Sequence, residues 1–355
     1  MESYEFLEGK ILPSLVKFSI PLMLSLLLQA LYGGVDLMVV GNFGSTASVS
    51  AVATGSQVMQ TVTGIVAGLA TGVTVLIGNS IGSGDKEKAG RTAGGMIFLF
   101  SIISVVLTAA MFLFTESVAN FMHVPPEAMA GTLTYIRICS VGIVFIAAYN
   151  GISGIFRGLG NSKSPLLFIL ISAITNIVGD LLFVGVFKMD VAGAAMATVF
   201  SQGVSVAFSL WYVRKNGLPF KINKACFHGR EPVLSILKIG TPIALQDFLT
   251  SVSFLIITAI VNSLGVIASA SMGIAEKLFV FLAIVPMSFM SALSAFVAQN
   301  IGAGKFKRAK KSLFIAMGLS FCFGFAMFLL TFLGGDILAG IFESNQLVIA
   351  STRDY

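Results

Sequence analysis

Four acidic residues lie within long apolar stretches of the sequence, where a charge is expensive. They are Asp36, Asp180, Asp247 and Glu276. Insertion scales put the cost of a charged side chain at the centre of a bilayer at about 2.5–3.5 kcal/mol or more. An acid that is retained despite this cost is a candidate for proton or cation chemistry, or for binding a polar substrate. The depth of each acid and its polar neighbours decide between these roles.

Asp36 and Asp180 are predicted to form one group with Asn176 and Thr198. At 1.5 Å per residue, Asp36 lies about 6 Å from the outer end of its apolar stretch, and Asp180 and Thr198 lie about 10 Å from theirs. Asn176 precedes Asp180 by four positions and therefore shares its helix face. Two carboxylates close together in a low dielectric do not both ionise cheaply, so one of them accepts a proton. The same oxygens suit a hard cation such as Na⁺.

The polar residues also have a plainer interpretation, as hydrogen-bonding groups between helices, and the sequence alone leaves it open. Gln29 precedes Asp36 by two helical turns on the same face. Gln29 and Asn150 are tentative substrate-cavity residues. Asp247 and Glu276 lie near the middle of their apolar stretches and are candidates for a substrate or coupling role. No cofactor is expected beyond the coupling ion, and the three widely spaced cysteines form no metal-binding pattern.

Membrane-spanning helices must position these residues. Of the 355 residues, 56% are hydrophobic and only 11% are charged, whereas a soluble domain has about 25% charged residues. This composition excludes an ordinary soluble enzyme, a disordered chain and a small disulfide scaffold, and no enzymatic activity is expected. A span needs about 20 apolar residues. The stretches of sufficient length are 12–40, 52–81, 92–114, 133–156, 165–187, 191–213, 236–264, 266–301 and 312–333.

The basic residues predict a multi-pass protein of the bacterial inner membrane with its N-terminus in the cytoplasm. In that orientation most of the 22 Lys and Arg residues fall on the cytoplasmic side, as the positive-inside rule requires. Only Arg137, Lys188 and Arg353 fall outside, and Lys277 falls within the membrane. The net charge of +6 is therefore explained by juxtamembrane residues that face anionic lipid. A nucleic-acid partner is not expected, because no basic soluble domain exists.

The second part of the sequence repeats the first. Residues 16–21, Val-Lys-Phe-Ser-Ile-Pro, are similar to residues 237–242, Leu-Lys-Ile-Gly-Thr-Pro, and the Ile-Gly-Ser-Gly of 81–84 is similar to the Ile-Gly-Ala-Gly of 301–304. Parallel six-helix repeats are a transporter architecture with the substrate site between the two halves. We therefore predict an all-α polytopic membrane protein of two parallel six-helix repeats, with about nine of twelve helices present. The predicted parts are an N-terminal lobe at 1–213, a cytoplasmic linker at 214–233 and an incomplete C-terminal lobe at 234–355.

These motifs together resemble the multidrug and toxic compound extrusion (MATE) family of antiporters, over the whole available chain. The resemblance rests on Pro21 and on residues 29–32, 35–41, 78–84, 156–161, 176–180, 193–198 and 298–304. It implies a twelve-helix fold that exports drugs or metabolites in exchange for H⁺ or Na⁺. In the DinF-like branch, aspartates of the first and fifth helices form a cation site with a nearby Asn and Thr. Asp36, Asp180, Asn176 and Thr198 match those positions.

Alternatives stay open at this stage. The NorM-like branch uses acids of the C-terminal lobe, and Glu276 would belong to such a set. A lipid-linked-oligosaccharide flippase of the same superfamily would favour a cationic cavity, whereas basic residues within the predicted membrane region are nearly confined to Lys277. A truncated fragment that does not transport is the other alternative, because the repeat predicts three further helices. The expected substrates are small, cationic or amphipathic organic molecules, and the expected state is a monomer in the lipid bilayer.

Overall fold

The computed structural model of the chain is almost entirely helical. It describes residues 6–222, 224–227, 229–263, 266–340 and 352. The α-helices of this part are α1 (Ile11–Phe43), α2 (Thr46–Gly82), α3 (Lys86–Phe121), α4 (Pro126–Val141), α5 (Ile143–Gly158), α6 (Lys163–Asp180), α7 (Asp190–Asn216), α8 (Arg230–Ser263), α9 (Val266–Gly302) and α10 (Phe306–Gly340). A π-helical turn, Leu181–Val186, follows α6, and a short 3₁₀ turn, Lys224–Phe227, lies between α7 and α8.

In the described part of the chain, eight helical stretches are long and apolar enough to cross a membrane, and the bent pair α4 and α5 makes a ninth. This confirms the predicted all-α polytopic fold. Helices α2 and α3 begin several residues before their apolar stretches, each at a polar N-cap. Ser45 caps α2 by accepting a hydrogen bond from the Ser48 N–H at 3.1 Å, and Asp85 caps α3 by accepting one from the Lys88 N–H at 2.8 Å.

The fourth predicted span, 133–156, is not one straight helix. It is divided at Gly142 into α4 and α5, which meet at 49°. The Gly142 N–H donates to the Cys139 carbonyl at 2.9 Å, and a Cβ at Gly142 would lie 2.9 Å from the Val199 side chain on α7. The bend is therefore set by close packing against α7. Apolar residues continue on both sides of it, so the hydrophobic pattern does not mark it.

The first predicted span ends later than expected. α1 continues to Phe43 rather than to position 40, and Gly44 ends it in an extended conformation, with its N–H donating to the Val40 carbonyl at 2.8 Å. At 1.5 Å per residue, Asp36 therefore lies about 10 Å from the end of its helix. This is deeper than the predicted 6 Å, and it brings Asp36 to the depth expected for Asp180 and Thr198.

Helices α2 and α8, which come from different halves of the sequence, pack with their backbones in contact. A Cβ on Gly68 would lie 2.6 Å from the Ala244 Cα, and a Cβ on Gly240 would lie 2.7 Å from the Leu69 Cα. Glycine is required at these positions because a methyl group would displace the facing backbone. Closer to the Thr46 end of α2, a Cβ on Gly64 would meet no atom within 4 Å.

The ends of α2 and α9 also cross closely, and they are related by the sequence repeat. Gly82 lies against the backbone of Gln299, and Gly302 lies against the backbone of Asn79. The Gln299 Nε2 donates to the Gly158 carbonyl at 2.8 Å. The two halves of the chain are thus joined tightly at the end that carries Gly82 and Gly302.

Residues 6–9, which we call the N-terminal strap, close the same end of the molecule. Phe6 is 1% exposed, and its ring centroid lies 4.9 Å from that of Phe18 on α1 and 5.0 Å from that of Phe296 on α9. The Arg308 guanidinium on α10 donates to three carbonyl oxygens of the strap at 2.7–3.0 Å. The strap precedes a helix of the first half and is held by helices of the second.

Candidate functional site

Helices α1, α6 and α7 pack against one another and bring four predicted site residues together. Asp36 on α1 is 4% exposed, Asn176 on α6 is 1% exposed, and Asp180 at the end of α6 is 0% exposed. Thr198 lies beside them on α7 and is partly exposed. Asp36, Asn176 and Asp180 are therefore almost entirely removed from solvent.

The four side chains face one another. The Asp36 carboxyl group lies close to the side chains of Asp180, Asn176 and Thr198. The Thr198 hydroxyl donates to the Ala194 carbonyl at 3.0 Å and lies 3.4 Å from Asp36 Oδ2. Both oxygens are acceptors within hydrogen-bond distance, so the single Thr198 hydroxyl hydrogen can be donated to either of them.

Several buried polar atoms of this group have no hydrogen-bond partner within the described residues. They are Asp36 Oδ1, both carboxylate oxygens of Asp180, and both amide atoms of Asn176. Neither carboxylate forms an ion pair in that part of the chain. Burying an uncompensated charge is strongly unfavourable. A proton on one carboxyl group, or a cation bound among these oxygens, removes that penalty, and a set of carboxylate, amide and hydroxyl oxygens fits H⁺ or a hard cation.

The position of Asp180 depends on an irregular helix. The π-helical turn Leu181–Val186 begins directly after it, and such turns are frequent at functional sites. The last turn of α6 packs closely against α7 because Gly179 has no side chain. A Cβ at Gly179 would lie 3.0 Å from the Ala197 Cβ. This close approach places Asp180 within reach of residues on α7.

Gln29 and Asn150, predicted from the sequence as cavity residues, line one small cavity. Its volume is about 100 Å³, room for several water molecules at about 10–15 Å³ of occupied volume each. The Asn150 Nδ2 donates to the Ile146 carbonyl at 2.9 Å. The polar residues of the wall are Gln29, Tyr32, Thr63, Tyr149, Asn150, Ser172, Gln202 and Ser205. This cavity lies within the first half of the chain, two helical turns from Asp36 along α1.

Two tyrosines near the acid group were missed by reasoning from the sequence. Tyr32 precedes Asp36 by one helical turn, and it faces both that carboxyl group and the small cavity. The spacing of four residues between Tyr32 and Asp36 places both on one helix face, so this tyrosine could have been predicted from the sequence. Tyr135 on α4 is 2% exposed and its side chain reaches Thr198. A single tyrosine in an apolar span carries no such signal.

The remaining predicted acids do not join this group. Asp247 lies half-buried on α8, and its carboxyl group makes no hydrogen bond or ion pair with the residues that the structure describes. The side chain of Glu276 lies outside the described part of the chain. The substrate roles suggested for Asp247 and Glu276 therefore stay predictions.

Arg157 was counted from the sequence as a cytoplasmic residue, and in the structure it is partly buried. Its Nε and Nη2 atoms are inaccessible at the end of α5 and have no hydrogen-bond partner among the described residues. The hydrophobic pattern ends the fourth predicted span just before this residue, so it gave no reason to expect burial. One partly buried guanidinium does not make the cationic cavity that a pyrophosphate-linked lipid would favour.

If this group binds H⁺ or Na⁺, we expect replacement of Thr198 by valine to weaken that binding only moderately, by about 2–10-fold. The change keeps the shape of the side chain and removes one neutral oxygen, which contributes about 0.5–1.5 kcal/mol. The measurement is the Na⁺ concentration or the pH that half-saturates the purified protein. Thr134→Val is the matched control, because Thr134 donates to the Ala130 carbonyl on an exposed face of α4. An unchanged midpoint in Thr198→Val would remove this residue from the site.

The described geometry agrees with three kinds of similarity. The MatE family model matches residues 21–182 and 242–355, ranges that include Asp36, Asn176 and Asp180 but not Thr198. The probable multidrug resistance protein YpnP of Bacillus subtilis is 32% identical over 309 residues, which cover 87% of this chain and 69% of YpnP. The probable multidrug resistance protein YoeA of the same organism is 26% identical over 341 residues, covering 94% of this chain and 74% of YoeA.

Solved structures share the fold. An outward-facing conformation of a multidrug resistance MATE family transporter of the MOP superfamily matches with a TM-score of 0.91 at 23% identity. The match covers 100% of this chain and 79% of that one. At this level of identity the structural likeness supports the helical architecture and its connectivity.

Proposed function

Because this chain belongs to the MATE family of membrane transporters, we propose that it exports drugs or metabolites across the plasma membrane in exchange for H⁺ or Na⁺. The names of YpnP and YoeA as probable multidrug resistance proteins support the substrate class. The buried and unpaired group of Asp36 and Asp180 carries the exchange part of the proposal. We further propose that the chain acts as a monomer on small organic substrates, cationic or amphipathic in character.

The coupling ion binds at the acid group from outside the cell. Asp36, Asp180 and Asn176 supply oxygens, and Thr198 completes the set from α7. A cation or proton neutralises the buried carboxylates, so the packing of α1 against α6 and α7 differs in free energy between the occupied and the ion-free site. The ion therefore biases the protein between conformations by its difference in affinity for them.

Helix α1 is suited to carry this change. Pro21 lies within α1 and has no N–H, so the helix lacks one hydrogen bond there and bends at low cost. One turn further along the helix, the Ser25 hydroxyl donates to the Pro21 carbonyl at 2.8 Å. Bending at Pro21 would displace Asp36, which lies on the outer part of the same helix.

The contacts between the halves support a state that is closed towards the cytoplasm. Backbone contact between α2 and α8 is found at Gly68 and Gly240, while Gly64 and the paired Gly33 and Gly34 of α1 meet no atom within 4 Å. With the N-terminus in the cytoplasm, the closed end is the inner one. Export then requires ion and substrate to favour opposite conformations, which is a coupling free energy between two sites.

Efflux under separately imposed gradients tests this function. The chain is reconstituted in liposomes with a fluorescent cationic substrate, and an inward H⁺ gradient or an inward Na⁺ gradient is applied alone. We expect one gradient or both to drive substrate out, and expect no efflux when ion gradients are dissipated. Efflux that requires ATP, or that ignores both gradients, would contradict exchange.

The pH dependence of Na⁺ binding distinguishes one shared site from two. Na⁺ requires ionised carboxylates, so protons compete with it. We expect Na⁺ affinity to rise with pH, by at most about tenfold per unit for each proton displaced, and to level off once the group has ionised. Isothermal titration of the purified chain with NaCl at several pH values measures this. A pH-independent Na⁺ affinity would place Na⁺ elsewhere.

A further inference from the structure

A groove between the first turns of α1 and α10 carries an unusual concentration of positive charge. Its volume is about 580 Å³. Four basic side chains line it, namely Lys10, Lys307, Arg308 and Lys311, and no acidic side chain is among the lining residues that the structure describes. Like charges gathered around one groove repel each other, and an anion between them relieves the repulsion.

The three lysines of the groove are available to a ligand. Lys10, Lys307 and Lys311 are exposed, and their ammonium groups make no hydrogen bond, ion pair or ring contact with any described residue. Arg308 differs, because its guanidinium holds the N-terminal strap. The groove therefore combines one structural cation with three that have no partner among the described residues.

The groove continues into an apolar surface that belongs to the membrane. Ile11 and Ile315 form part of its wall. Beside it, Leu12 and Leu313 are each 44% exposed and Phe314 is 58% exposed, on helices that the hydropathy places in the bilayer. A soluble anion would use only the charges. A phospholipid uses both parts, since its headgroup meets the lysines while its acyl chains follow the apolar side chains.

We propose that this groove binds the headgroup of an anionic phospholipid such as phosphatidylglycerol. Basic pockets between transmembrane helices at the cytoplasmic surface are typical sites for such headgroups. The phosphate lies among Lys10, Lys307 and Lys311, and the acyl chains lie along Leu12 and Phe314. The inference goes beyond the transport function and does not depend on it.

The bound lipid also bears on the closed state of the protein. One wall of the groove begins α1, in the first half of the chain, and the other begins α10, in the second half. Arg308 in that wall holds the strap, and the Lys305 Nζ donates to the Leu7 carbonyl of the strap at 2.9 Å. A headgroup between the walls draws the two halves together at this end, so anionic lipid stabilises the inner closure.

Lipid binding by the purified 355-residue chain tests the proposal. The variant K10Q/K307Q/K311Q removes the three available charges and keeps Arg308. The matched control, K86Q/K88Q/R91Q, removes three exposed basic side chains from the start of α3, at the repeat-related position. Retention of phosphatidylglycerol and of phosphatidylcholine is measured by native mass spectrometry over a lipid titration, after size-exclusion chromatography confirms the fold.

The wild type and the control are expected to bind phosphatidylglycerol at least about tenfold more tightly than K10Q/K307Q/K311Q, since each basic residue at the surface contributes to attraction of anionic lipid. Phosphatidylcholine is expected to bind weakly to all three. Equal loss in both triple variants would indicate general surface charge and overturn the site, as would no loss in the groove variant. Displacement of phosphatidylglycerol by millimolar inorganic phosphate would overturn the lipid assignment in favour of a free anion.

Discussion

Replacement of Asp36 or Asp180 by asparagine is expected to abolish ion-driven efflux and to weaken binding of the coupling ion by about 10–100-fold. Each change removes one charged ligand, and a charge-assisted bond contributes about 1.5–3 kcal/mol, or tenfold for every 1.4 kcal/mol. Asparagine keeps the size of the side chain, so insertion into the membrane is expected to be unchanged. Titration with Na⁺ or acid measures binding, and efflux from proteoliposomes measures transport.

Two further variants make the outcome specific. Asp85→Asn is the matched control, since it removes the same charge from an exposed helix cap, and asparagine caps helices as well as aspartate does. The double variant, with both Asp36 and Asp180 replaced by asparagine, is expected to bind the ion only slightly more weakly than either single variant. The reason is that the free-energy effects of two substitutions in one site do not add. Efflux at the wild-type rate in both single variants would remove the acid group from the mechanism.

Replacement of Gly68 by alanine is expected to shift the protein away from the closed state by about 5–150-fold. The new methyl group would lie 2.6 Å from the Ala244 Cα, so backbone rather than a flexible side chain must move. Overpacking of this kind costs about 1–3 kcal/mol. Distances between spin labels on Lys86→Cys and Lys310→Cys, in a cysteine-free background, report the separation of the two halves at the inner end.

Gly64→Ala provides a control on the same helix, one turn away. A Cβ at Gly64 meets no atom within 4 Å, so the label distances are expected to stay as in the wild type. Both variants raise the helix propensity of α2 equally. The difference between them therefore isolates the contact with α8. If Gly68→Ala leaves the distance distribution unchanged, α2 and α8 do not close the inner end as the structure indicates.

The sequence was informative wherever one physical requirement dominated. Crossing a bilayer demands a long apolar run, so the spans were predictable, and their polar residues were conspicuous for the same reason. Asp36, Asn176, Asp180 and Thr198 were grouped by depth along their helices, which needs only the rise per residue. Whether they bind the coupling ion stays a prediction. The structure adds that they face one another.

Features that depend on contacts between distant residues were not predictable in this way. The bend at Gly142 coincides with close packing on Val199, and two guanidinium atoms of Arg157 become inaccessible only in the folded chain. The strap held by Arg308 depends on residues that lie about 300 positions apart in the chain. Tyr135 reaches the acid group only because α4 lies against α2 and α7. None of these four features produces a recognisable pattern in the sequence around the residues concerned.

The π-helical turn after Asp180 has a consequence for how this region tolerates change. Leu181–Val186 contains a wider turn than an α-helix, so one more residue is accommodated for the same advance. Deleting a single residue there would let the turn close as ordinary α-helix and would leave the segment beyond it in nearly the same orientation relative to Asp180, whereas a deletion within regular α-helix would rotate that segment by about 100°. Substitutions in this segment leave that angular relationship intact. Lineages that keep the acid pair are therefore expected to tolerate the loss of one residue in this turn, which the regular part of α6 would not.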